Sequence, residues 1–133
     1  MAIPDHQLRI RDVPGQFAVC RLAPDAAIPD WATTGELTSI TRTRDELSIV
    51  CSDDRAPAGT RCERGYSALR VEGPLAPEMV GVLLSLATPL ADAGIPILAI
   101  GTYDTDYVLV RATDLERARD ALQRAGHDLA ARS

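Results

Sequence analysis

The alternation of strand and helix patterns between residues 66 and 130 most constrains the fold of this chain. Residues 66–73 have strand character, and a helical stripe of apolar residues follows. The stripe is spaced by four, three and four residues: Met79, Leu83, Leu86 and Leu90. Residues 95–100 are short and wholly apolar, which predicts a buried strand, and residues 106–111 are its natural hairpin partner.

Signals for helix ends complete this pattern. Pro77 and Glu78 suit the first turn of the first helix, and Gly94 suits its end. Thr113 and Glu116 have the spacing of a capping box at the start of a second helix. An apolar stripe and a terminal glycine define that helix: Leu115, Ala118, Leu122, Ala125 and Gly126. With a short closing strand after it, the order is β-α-β-β-α-β, an α+β, ferredoxin-like fold.

The N-terminal half contains a shortened copy of the same unit. The sequence SITRTRDELSIVC, starting at Ser39, aligns without gaps with AIGTYDTDYVLVR, starting at Ala99. Such a repeat indicates duplicated modules. Residues 17–22 are predicted to form a strand after a Pro14-Gly15 turn. A hairpin (residues 37–41 and 46–51) follows, and no long helix is predicted in this half.

Composition excludes several classes of function. The net charge is −5, and the arginines do not gather on one helix or stripe, so nucleic-acid binding is not expected. No apolar run reaches the length of about 18 residues that spans a bilayer, and the N-terminus does not have the pattern of a secretory signal, so we expect a cytoplasmic protein without membrane contacts. All 14 basic residues are arginines, which excludes chemistry that needs a lysine.

The thiols and imidazoles give no reason to expect a metal or a cofactor. Cys20, Cys51 and Cys62 form no CxxC pair, and in a reduced compartment we expect them to be free and to act as small packing residues. His6 and His127 lie near opposite ends of the chain, which does not favour a zinc site or a Cys–His pair.

The hairpin sequence GTYDTDYVLV, the AGIPI junction before it and the segment YSALRVEGPL carry a family resemblance. Over residues 14–128 the chain resembles the stand-alone ACT-domain proteins of bacteria, and it is similar to the ACT modules of the animal cytosolic arginine sensor. The resemblance implies an N-terminal segment that can form a strand (1–13), a trimmed ACT-like module (14–65) and a complete ACT module (66–133).

The resemblance also implies a ligand site at the boundary of a module, against the junction of its first helix and second strand. The residues that it points to are Gly94, Ile95, Pro96, Ile97, Thr102, Tyr103, Asp104, Asp106, Gly73, Leu75, Ser39, Ile40 and Thr41. One of Asp104 and Asp106 would meet the ammonium group of an amino acid, and if the ligand is basic the other would take its side-chain cation. Simpler structural roles stay open: Asp104 as a turn residue, Asp106 as an edge charge, Tyr103 as a packing aromatic and Gly94 as a helix cap.

These features favour a non-catalytic regulatory module that binds an amino acid and acts on a separate protein. The alternatives are an ACT-fold interaction scaffold without a ligand, or a small enzyme that uses Asp104 or Asp106 as acid–base groups. The strands of the second hairpin are apolar on both faces, which predicts a homodimer that covers the face away from the helices.

Overall fold

The computed structural model describes residues 7–73, 75–76 and 79–131. The chain divides into two compact units. The N-terminal unit is Val13–Ser67, and the C-terminal unit combines Met1–Asp12 with Ala68–Ser133. Residues Arg9 to Asp12 therefore belong to the C-terminal unit.

Seven strands and two α-helices form in the described residues. The strands are β1 (Arg9–Leu22), β2 (Ser39–Arg42), β3 (Leu47–Ser52), β4 (Cys62–Val71), β5 (Leu98–Gly101), β6 (Asp106–Arg111) and β7 (Asp128–Leu129). The helices are α1 (Val82–Asp92) and α2 (Leu115–Arg124). Short 3₁₀ turns lie at Asp30–Ala32, Asp53–Arg55 and Ala112–Asp114.

The C-terminal unit has the predicted order, β4-α1-β5-β6-α2-β7. Its strands lie in the order β1-β4-β6-β5, and β7 pairs in parallel with the first residues of β1. Both helices pack on one face of this sheet. The core between the helices and the sheet contains Leu8, Ile10, Leu69, Val71, Val82, Leu86, Leu90, Ile95, Val108, Val110, Ala118 and Leu122. Strand alternation explains this set, because every second residue of β4 and β6 faces the helices.

The two glycines predicted to end the helices do so. Gly94 and Gly126 have φ values of +74° and +101°, a conformation that glycine adopts without steric cost. His127, next to the second glycine, is buried. Its Nδ1 accepts a hydrogen bond from the Leu8 N–H, and its Nε2 lies 3.0 Å from the Ser85 carbonyl oxygen. This histidine therefore joins the end of α2 to the residue before β1 and to α1.

The N-terminal unit is built on the predicted hairpin. β3 pairs antiparallel with β2 on one side and with residues 17–22 of β1 on the other. Thr43 N–H donates to the Glu46 carbonyl across the turn, at 2.9 Å. The core of this unit contains Ala18, Cys20, Ala32, Leu47, Ile49, Cys51 and Ala56.

Two predicted element boundaries are wrong. β1 does not start after a Pro14-Gly15 turn but continues through both residues, and Gly15 adopts a φ of +91° within the strand. α1 starts at Val82, after Gly81 in the left-handed conformation, and Pro77 and Glu78 lie outside the described residues.

The capping box is also wrong. α2 follows a 3₁₀ turn, so its N-cap residue is Asp114 rather than Thr113, and Asp114 makes no side-chain capping bond. A 3₁₀ turn at the start of an α-helix is common, and it moves the first α-helical residue along the chain.

Two predictions about burial and covalent state are also wrong. β5 is not buried: it is the last strand in the order, so it has one strand neighbour, and Leu98 is 36% exposed. Cys20 and Cys62 are not free but form a disulfide bond, whereas Cys51 is a buried free thiol as expected.

None of the helices in the described part of the chain has the length and apolar content needed to cross a bilayer. Within the same residues, no cluster of three histidine, cysteine or acidic side chains could hold a metal ion.

Candidate functional site

The loop after β4 and the turn between β5 and β6 lie against each other in the C-terminal unit. The Leu75 N–H donates a hydrogen bond of 2.8 Å to the Asp104 carbonyl oxygen. Gly73 is packed so closely on this turn that an added Cβ would lie 3.0 Å from the same oxygen and 3.2 Å from Thr105 Cβ. The structure thus brings together Gly73, Leu75 and Asp104, three of the residues predicted for the site.

The turn itself is fixed by two threonines. The Thr102 hydroxyl donates to the Thr105 carbonyl oxygen at 2.9 Å and accepts a bond from the Thr105 N–H at 3.2 Å. The Thr105 hydroxyl is buried and donates to the Val71 carbonyl oxygen at the end of β4, at 2.7 Å. Because a buried hydroxyl is costly to leave without a partner, this bond holds the turn in place. The sequence prediction did not single out Thr105.

The two carboxylates of the turn differ in exposure. Asp104 is exposed, and Asp106 is half-buried, with its Oδ1 3.5 Å from the position that a Cβ on Gly101 would take. Neither carboxylate makes a hydrogen bond or an ion pair within residues 7–73, 75–76 and 79–131. Both are therefore open to a cation. Tyr103, which directly precedes Asp104, is fully exposed.

The helix-to-strand junction, Gly94 to Ile97, offers few backbone donors. The Gly94 and Ile95 N–H groups already donate to the carbonyl oxygens of Ala91 and Leu90. Pro96 has no N–H. A ligand carboxylate at this junction therefore needs donors other than these three residues. Ile95 is buried in the core, and Ile97 packs against its edge.

Ser39, Ile40 and Thr41 lie on β2 in the N-terminal unit, and Ile40 and Thr41 are exposed there. Their part in a ligand site stays a prediction.

Comparison with known proteins places this geometry in a family. A model described as an ACT domain matches residues 61–124, and a second model, described as an N-terminal domain, matches residues 15–59. Protein Atu0741 from Agrobacterium tumefaciens has a solved structure that is 41% identical, with a TM-score of 0.91 and 96% of each chain covered. Residues 61–124 are thus an ACT domain, and the chain as a whole belongs to the same family as Atu0741. A comparison with curated proteins found no significant match.

More distant structures share the ACT fold. VC0802 from Vibrio cholerae is 23% identical, with a TM-score of 0.75, and the match covers 90% of this chain and 91% of that chain. The ligand-free regulatory subunit of aspartate kinase from Thermus thermophilus is 11% identical, with a TM-score of 0.58, covering 84% and 93%. The ferredoxin-like α+β fold of the ACT domain is thus confirmed.

Proposed function

We propose that this ACT-domain protein is a non-catalytic regulatory module that binds an amino acid in its C-terminal unit and acts on a separate protein. The observation that supports it most is the hydrogen bond from the Leu75 N–H to the Asp104 carbonyl oxygen. This bond holds the loop after β4 against a turn that carries two carboxylates without partners in the described residues. A prearranged polar surface of this kind lowers the cost of ordering on binding.

The charges of the turn fit a ligand with an ammonium group. Asp106 is half-buried, so a charge-assisted hydrogen bond to it would be worth about 1.5–3 kcal/mol. Asp104, exposed and near the loop, would take the side-chain cation of a basic amino acid. The loop that starts at Gly73 leads to the first turn of α1, whose N–H groups have no acceptor within the helix. These groups are the donors that we assign to the ligand carboxylate.

The family supports the regulatory part of the proposal. The distant structural neighbours of this chain include the regulatory subunit of an aspartate kinase. We further propose that residues 14–65 are a trimmed second ACT-like module, as the similarity to the arginine sensor suggested. The protein would act in the cytoplasm as a homodimer.

A thermal-shift screen against the amino acids tests the proposal. A ligand at 100 times its dissociation constant stabilises the folded state by about 2.7 kcal/mol, which is easily detected. We expect one amino acid, or a few related ones, to raise the melting temperature. If none does so at millimolar concentration, the protein is better described as an interaction scaffold that has kept the ACT fold.

A further inference from the structure

Arg70 occupies an unusual position for an arginine. It lies in β4 between Leu69 and Val71, which both face α1 and α2 and belong to the core of the C-terminal unit. Because neighbouring residues of a strand point to opposite faces, Arg70 projects from the face of the sheet away from the helices. We call this the helix-free face. Tyr107 of β6 lies on it as well, since its neighbour Val108 faces the helices.

The guanidinium of Arg70 has no polar partner in the described part of the chain. The side chain is half-buried, and its Nε is buried without any hydrogen-bond acceptor. The guanidinium carbon lies 5.9 Å from the centroid of the Tyr107 ring. A cation over an aromatic face gains a modest electrostatic stabilisation. That gain does not replace hydrogen bonds to a donor group removed from water.

The neighbouring charges do not neutralise Arg70. On the same face, Arg9 pairs with Asp128 at 3.3 Å and Arg11 lies 3.9 Å from Glu72, and all four side chains are well exposed. These acids are therefore engaged by other arginines. The result is a local excess of positive charge on a chain whose net charge is −5. A half-buried cation without a counter-ion attracts an anion from solution.

We infer that Arg70 and Tyr107 form a binding site for a carboxylate, separate from the Asp104–Asp106 turn. The guanidinium presents a rigid, planar fork of N–H donors that matches the two oxygens of a carboxylate, and the Tyr107 ring holds that fork in place. Asp106, in contrast, lies on the helix side of β6, where Val108 and Val110 also point. The carboxylate belongs either to a small organic acid or to an acidic side chain of another copy of this chain.

Glutarate is a suitable probe, because it has two carboxylates and no ammonium group for the aspartates to bind. We would follow the Nε–H signal of Arg70 by ¹H–¹⁵N NMR of the whole chain during a glutarate titration. A saturable shift of this signal is expected. Arg70→Gln should weaken glutarate binding at least tenfold, and Arg70→Lys, which keeps the charge but loses the fork, should weaken it less. Arg124→Gln, at an exposed arginine of α2, is the control and should bind as the wild type does.

The two sources of the carboxylate give different results. If glutarate does not bind but Arg70→Gln abolishes self-association in analytical ultracentrifugation while Arg124→Gln does not, the carboxylate comes from a second copy. If Arg70→Gln and Arg70→Lys both fold and neither changes glutarate binding or self-association, the inference is wrong. Loss of amino-acid binding at the Asp104–Asp106 turn would not affect this result, because the probe does not use that turn.

Discussion

The disulfide between Cys20 and Cys62 should contribute a large share of the stability of the N-terminal unit. It joins β1 to the first residue of β4, and the two cysteines are 42 residues apart in the chain. Reducing the bond frees this loop in the unfolded state. The perturbation is simply a thiol-free reductant added to the oxidised protein, which changes no side chain other than these two cysteines.

The magnitude follows from the size of the closed loop. In the chain-entropy model, a loop of about 42 residues corresponds to about 13 cal/mol/K, or about 4 kcal/mol at 25 °C. Globular proteins unfold with an entropy of about 2.1 cal/mol/K per residue, which gives about 0.28 kcal/mol/K for a chain of this length. Reduction should therefore lower the melting temperature by up to about 14 °C.

Differential scanning calorimetry with and without reductant measures this effect. The Cys20→Ala/Cys62→Ala variant should melt at a temperature that the reductant does not change. Cys51→Ala keeps the bond and should respond as fully as the wild type. A thiol titration of the unreduced, denatured protein should find one thiol per chain. Three thiols per chain, together with a melting temperature that the reductant does not change, would refute the prediction that this disulfide stabilises the protein.

Three further predictions concern the site, the free thiol and assembly. Gly73→Ala should cost about 1–3 kcal/mol, because its Cβ would crowd the backbone of Asp104 and Leu75, and urea unfolding measures this cost; a neutral effect would mean that the loop is not packed on the turn. Burial raises the pKa of the Cys51 thiol, so its contribution to stability is complete below the ordinary thiol pKa and is lost as the pH rises above about 8.5. Cys51→Ala should remove that part of the alkaline destabilisation in urea titrations, and identical pH profiles would contradict this. Light scattering should give twice 14.3 kDa, because Leu98 on β5 and Val80, Leu83 and Leu84 at α1 are exposed apolar residues; a strict monomer at micromolar concentration would end the dimer proposal.

The sequence predicted the order of elements in the C-terminal unit because its signals are local. Glycines end both helices, and the apolar stripe of α2 matches its buried residues Ala118 and Leu122. The hairpin of β5 and β6 also forms as expected. Such features depend on a few neighbouring residues, which a single sequence displays directly.

Two of the wrong predictions depended on contacts between distant residues. The apolar residues of β5 suggested burial, but burial depends on the position of a strand in the sheet, which local pattern does not show. The pairing of Cys20 with Cys62 depends on two strands lying side by side, and the spacing of the cysteines does not indicate it.

The site was predicted from the family resemblance more than from the residues themselves. Asp104 and Asp106 were noticed because acidic residues interrupt an apolar region. Thr105 was missed because threonine is common in turns, although its buried hydroxyl holds the turn to β4. Arg70 was also missed, although an arginine flanked by buried apolar residues in the middle of a strand is a signal that could have found it.

The most direct test of the central claim is calorimetric titration of the amino acid found in the thermal-shift screen. The wild type is compared with Asp106→Asn, which keeps the shape of the side chain and removes its charge, and with Asp25→Asn, at an exposed carboxylate of the N-terminal unit. We predict that Asp106→Asn weakens binding about tenfold or more, the loss of one charge-assisted hydrogen bond, and that Asp25→Asn has no effect. Equal affinity of Asp106→Asn and the wild type would contradict the assignment of the ligand to this turn.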